Sequence, residues 1–355
     1  MPEEPAMVQV PRPAPHAASS GGVGRRSLLL GTAAWCAAAA GCARSTGPSA
    51  ATPPAAGVRT PPVGAARATA SAPPGRLPAA VAWRPGPGEI EPAAKLAAVR
   101  LVEALGTWPA GRGGRSNAAA RAAALGIPAP LAAELAAEAG PLTPAADQAV
   151  VRVIYAQYGG LLPDTASVLV PCTQSTRTGS AVREGGTTID VRLDRTPAGW
   201  AVTALHPGRP GPAAPLGAPA RAVLAQPRIE LPPASAADVR SGAVHESVLR
   251  AMLRLADTHR MSVSVVRSGH PLNVFGTGRP SDHPVGRAFD VWAVDGRPVV
   301  DPATPRSLVT AFMRAAAAAG SYNVGGPVQL SGGTRPNQFF SDATHHDHVH
   351  IGFAT

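Results

Sequence analysis

Apolar positions along this chain recur with two periods, and each period predicts its own kind of element. From Ala93 to Leu105 the spacing is helical, with Leu96, Val99 and Val102 near one face. A second helix is expected over Ala145 to Tyr158. The pattern then changes to alternation, which predicts strands at Ala166–Val170, Thr187–Leu193 and Trp200–Leu205. Ile189, Val191 and Leu193 share a face, as do Trp200 and Val202, and Asp194–Gly199 makes the turn between the two runs. Further on, Val244–Thr258 reads as an amphipathic helix with Val248, Leu249, Met252 and Leu255 toward a core. Strands at Ser262–Val266 and Phe289–Ala293, a helix at Ser307–Ala319 closed by Gly320, and a last strand at His348–Phe353 complete the series. Helices and strands in separate runs predict an α+β chain.

Two stretches break the periodicity. The 355 residues include 38 Gly and 40 Pro, concentrated before about Pro87 and again near Pro207–Pro233. Residues 43–84 are rich in Ala, Pro and Gly and bury too little to offset their ordering entropy, so they are expected to be a disordered tether. Residues 207–235 are expected to be a linker. Between and after them lie two expected domains, an α+β domain at 85–206 and a second at 236–355. The first of these, helices followed by a curved meander, resembles a cystatin-like or ketosteroid-isomerase-like accessory domain. Its Asp190 and His206 read as surface and strand-end residues.

Residues 1–42 have the form of an export signal. Arg25-Arg26 resembles a twin-arginine signal and precedes the apolar run Leu28–Ala40, which is too short for a permanent bilayer span. The following Ala39-Ala40-Gly41-Cys42 resembles the lipobox of bacterial lipoproteins, with Ala39 where leucine is usual. That resemblance implies lipidation at Cys42 and an extracytoplasmic, membrane-anchored lipoprotein; an ordinary secretory signal predicts a secreted protein instead. Cys172 is then left alone after an apolar run and is expected to be a buried, inert thiol. The formal charge of +10 is carried almost wholly by arginine, Lys95 being the only lysine. With 4% aromatic residues and no basic helix, stacking platforms are scarce and a nucleic-acid partner is not expected.

The candidate chemistry lies in two segments near the C-terminus, Ser281–Asp290 and His345–His350. A catalytic zinc takes three N/O protein ligands and leaves a position open. His283, Asp290 and His350 would supply that set, with Asp347 as the neighbouring base. The spacing from His283 to Asp290 fits a loop that turns at Gly286 and enters a strand at Ala288. Alternation along the last strand puts His348 beside His350, where it can hydrogen-bond a substrate carbonyl or an oxyanion. His270, His345 and His346 read as turn or loop residues.

Ser281-x-His283-x-x-Gly286-x-Ala288-x-Asp290 followed by His348-x-His350 resembles the zinc D-Ala-D-Ala peptidase superfamily. That group takes in carboxypeptidases, L-alanyl-D-glutamate endolysins, murein endopeptidases and the hedgehog signalling domain. The resemblance covers about the last 110 residues. It implies an antiparallel-sheet peptidase domain with Zn2+ on His283, Asp290 and His350, a base at Asp347, and a peptidoglycan peptide containing D-amino acids as substrate. It also implies an upstream arginine that holds a substrate carboxylate or stabilises negative charge, for which Arg267 is the first choice and Arg279 the second. The carboxypeptidase-type members end in Glu-x-Trp-His where this chain has Asp347-His348-Val349-His350, and no glutamate follows Glu246. A monomer is expected. The hedgehog-like branch leaves a second reading open, a zinc-stabilised binding module of the cell envelope without turnover.

Overall fold

The computed structural model describes residues 76–354. Arg25-Arg26, the apolar run, Cys42 and most of the expected tether lie outside the described residues. The described residues fall within one compact unit that contains two hydrophobic cores, each with its own sheet.

The first core is built by α1 (Pro92–Gly106), α2 (Arg115–Ala123) and α3 (Ala129–Glu138) against an antiparallel sheet. Its strands are β1 (Gln148–Val153), β2 (Gln157–Leu161), β3 (Thr165–Thr178), β4 (Ala181–Thr196) and β5 (Gly199–Pro207). The order is β1-β3-β4-β5, with β2 also paired to β3. The helix expected over Ala145–Tyr158 is instead β1 and β2. Val150, Val151, Val153, Ile154 and Tyr155 favour a pleated surface, and β3 supplies backbone partners along Gln148–Val153 and Gln157–Leu161. Asp190 is a second correction. It is buried, holding Arg192 and accepting from Ser167 Oγ at 2.6 Å. Cys172 is fully buried, and burial pushes its thiol up to about 12, as an inert core residue requires.

The second core surrounds a mixed sheet in the order β11-β10-β12-β8-β7-β6. Its members are β6 (Ile229–Glu230), β7 (Met261–Val265), β8 (Ala288–Val294), β10 (Asn323–Gly325), β11 (Phe339–Phe340) and β12 (Val349–Gly352), while β9 (Arg297–Pro298) flanks β8. The central pairs are antiparallel, as expected, but β6–β7 and β10–β11 at the two edges are parallel. Parallel pairing needs a crossover, and α5 (Pro233–Arg240) with α6 (Glu246–Ala256) provides it for β6 and β7. α7 (Arg306–Ala318) covers the same core. Val248, Leu249, Met252 and Leu255 of α6 are all buried in it.

The expected linker at 207–235 is not a linker. It carries α4 (Ala218–Ala225), β6 and the start of α5, and Val223 and Ile229 are core residues. Proline at the first turns of α4 and α5 fits helix starts, where its missing N–H has no partner to lose. A Pro-rich composition had concealed short helices that start on proline.

Candidate metal centre

The loop from Val266 to Arg287 joins β7 to β8 and brings His283 under the sheet. Gly286 makes the turn with φ +74°, and a Cβ there would lie 2.1 Å from the carbonyl oxygen of Ala243. Only glycine fits that approach. Beyond the turn, β8 carries Asp290, and β12 pairs with it so that His350 and Asp290 are directly opposite. Backbone register alone therefore brings two of the three expected ligands together.

The three ligand atoms converge. His350 Nδ1 is 3.0 Å from Asp290 Oδ1, His283 Nε2 is 3.2 Å from the same oxygen, and the two nitrogens are 3.2 Å apart. A tetrahedral ion with bonds of about 2.0–2.1 Å would place its ligands about 3.3 Å apart, close to this spacing. The proton inventory points the same way. His283 donates its Nδ1 proton to Val266 O at 2.8 Å, which in the neutral ring leaves Nε2 a bare lone pair. Three acceptor-type atoms, all buried, thus face one another with at most one proton among them, and a cation removes that conflict. Burial also pushes the His350 imidazole down to about 4, so it is neutral and ready to ligate at neutral pH. Burial alone would lift Asp290, but His283 and His348 hold its carboxyl well below the usual range.

His270 joins this cluster, which its place in a turn had hidden. It brings one ligand atom within 4.8 Å of those of His283 and Asp290. Its ring stacks on His283 with centroids 4.0 Å apart and 13° between planes. Parallel stacked imidazoles direct their lone pairs alongside each other rather than at a common point, so the set with His350 is the tighter one. Nearly parallel stacking instead braces the His283 ring.

Asp347 is not beside the ligands. It is buried behind His348, accepting the His348 Nδ1 proton on Oδ1 at 2.6 Å. Its Oδ2 meets Lys95 Nζ at 2.5 Å and accepts from the Tyr158 backbone N–H at 3.0 Å. Burial opposes its ionisation, yet Lys95 and His348 hold the carboxyl below its ordinary value. With both oxygens engaged it cannot serve as the proton acceptor in the cleft, and that expectation is corrected. His348 is the group that faces the ligands, its Nε2 lying 3.9 Å from Asp290 Oδ2. Burial works against its imidazolium, but Asp290 and Asp347 together raise its proton affinity.

Lys95, the only lysine in the chain, is fully buried on α1 and also contacts Glu89. Tyr155 OH donates to Glu89 at 3.0 Å, and its ring stacks on Trp292 of β8 at 4.8 Å. Burial lifts the Glu89 carboxyl despite the lysine beside it. A single Lys in an alanine-rich helix was the available sequence signal, since an apolar face tolerates a lysine only where acids wait for it.

A cleft of about 730 Å³ opens over the ligands, lined by His270, His283, His348, His350, Tyr322 and Arg279 among others. β2 of the first core forms one wall through Gly159, Gly160 and Leu161. Arg267 is elsewhere. It donates to Pro284 O at 3.1 Å, approaches Asp238 at 3.9 Å, and borders a neighbouring cleft. The arginine at the mouth is Arg279. His345 also lines the cleft, bonded to Asp342 at 2.8 Å. No family model, curated protein or solved structure matches this chain.

Proposed function

We propose that this protein is a zinc-dependent peptidase of the cell envelope, acting on peptidoglycan stem peptides that contain D-amino acids. The observation that carries the reading is His348, backed by Asp347, set beside the His283, Asp290 and His350 triad at the floor of an open cleft. Two imidazoles and one carboxylate are a donor set suited to zinc, which supplies Lewis acidity for attack by water on a peptide carbonyl.

The residues of the chain do the rest. His348 accepts the proton of the attacking water at Nε2 and returns it to the leaving amine. Asp347 holds the Nδ1 proton, fixing the tautomer in which Nε2 is free. Lys95 keeps Asp347 ionised and in place. Arg279, exposed at the rim, is placed to hold a carboxylate of the peptide. The leader pattern ending in Cys42 supports an envelope location, and the two motifs around His283 and His350 support the peptidase class.

The test is digestion of purified muropeptides by the full chain, with and without a chelator, analysed by mass. Cleavage lost on chelation and restored by zinc is expected. Bound zinc with no cleavage of any muropeptide would favour the binding module.

A further inference from the structure

Gln157 opens β2 in the first core, yet its side chain is buried within the second. Its Nε2 donates to Asp290 Oδ2 at 2.5 Å, and its Oε1 accepts from Ser264 Oγ on β7. The carboxylate, which only accepts, fixes which end of the amide faces it, and the serine hydroxyl satisfies the other end. The next residue, Tyr158, turns its ring back, as strand alternation requires, and its OH bonds Ile90 O and Glu91 O of the first domain. Its backbone N–H meanwhile holds Asp347. Consecutive residues of one strand therefore reach both carboxylates of the candidate site from a domain that contributes none of the ligands. A bulge between Tyr158 and Gly160 shifts the register with β3 by one residue at this point, and pairing resumes at Gly160.

We propose that the first domain is a working part of the metal centre, with Gln157 as a positioning residue for Asp290. This rests on the metal-site reading above. Asp290 uses Oδ1 toward His283 and His350, and among the described residues Gln157 is the one hydrogen-bond donor to Oδ2. The nearest competitor is His348 Nε2 at 3.9 Å. Without the amide, Asp290 is free to rotate toward that imidazole, which would remove a ligand from the metal and the proton acceptor from the cleft together. A neutral donor suits this place, because a cation there would compete with the metal for the same carboxylate.

The test compares the full chain with its Gln157→Met variant, which keeps the volume and loses the donor. Zinc affinity is measured by competition with a chromophoric chelator, the ligand field by the visible spectrum of the cobalt-loaded protein, and folding by the melting temperature of the metal-free protein. Affinity is expected to fall about 10- to 100-fold, the usual effect of removing a bond to a ligand, with an altered cobalt spectrum. Ser264→Ala, which frees the amide to turn, is expected to show a smaller loss in the same direction. Unchanged affinity and spectrum in both variants overturn the proposal, as does a lowered metal-free melting temperature with affinity intact, which marks a purely structural role. If Gln157→Met does not fold, Ser264→Ala alone decides. Wild-type protein that binds no zinc, or a His283→Ala variant that binds it equally well, overturns the metal centre itself and the proposal with it.

Discussion

At the scale of single residues, the site depends on which atoms keep a free lone pair. His283 gives its proton to Val266 O and His348 gives its Nδ1 proton to Asp347, so each is left with Nε2 toward the cluster. His348→Ala should retain metal and lose hydrolysis, measured as kcat on a muropeptide beside metal content. Asp347→Asn should lower kcat about 10²- to 10⁴-fold at similar metal content, since the amide no longer fixes the tautomer. Lengthening to Asp347→Glu should not preserve activity, because the carboxylate is enclosed by Lys95, His348 and the Tyr158 N–H. Lys95→Met leaves Glu89 and Asp347 buried without their cation and should cost about 3–5 kcal/mol in urea unfolding. Adding Glu89→Gln should recover part of that loss.

At the scale of elements, the expected helices at 93–105, 244–258 and 307–319 match α1, α6 and α7 to within a few residues. α6 and α7 each bury one face and expose the other, which makes their stripes plain, whereas α1 is covered over most of its length and Leu96 of its expected face is only half-buried. The run at 145–158 was ambiguous between periods, and pairing with β3 decided it. Where β2 meets the β7–β8 loop, packing is close. A Cβ on Gly160 would fall 2.1 Å from Phe275, so Gly160→Val should lower stability by about 1–3 kcal/mol in denaturant unfolding. The segment leading into β12 has its own pH dependence. Burial opposes ionisation of Asp342, but hydrogen bonds from His345 bring its carboxyl down to about 2. A depressed acid stabilises above its ordinary value near 3.8, and that contribution disappears as pH falls toward 2. Asp342→Asn should flatten the urea midpoint over that window and leave it unchanged in shape above pH 5.

At the scale of the whole molecule, two cores share one seam. Gln157, Tyr158 and Lys95 cross it to Asp290 and Asp347, and Tyr155 stacks on Trp292. Buried charge at a seam couples the two sides, because separation would leave ions unpaired. Residues 76–355 should therefore melt in a single calorimetric transition. A 236–355 fragment lacks β6, α4 and the first turn of α5, removes Val223 and Ile229 from the second core, and should show no cooperative melt. Two independent transitions in the longer chain would mean that the seam carries little energy.

The sequence by itself determined the ligand candidates His283, Asp290 and His350, the turn at Gly286, and most of the amphipathic elements. Each depends on local spacing or on a backbone angle that the residue type announces. The tertiary structure alone decided that Asp347 stands behind His348, that Arg279 and not Arg267 borders the cleft, and that His270 stacks on His283. It also decided that 207–235 folds and that Lys95 and Gln157 contact Asp347 and Asp290, each more than a hundred residues away. Those outcomes turn on burial and on partners distant in the chain, and neither leaves a periodic trace in sequence.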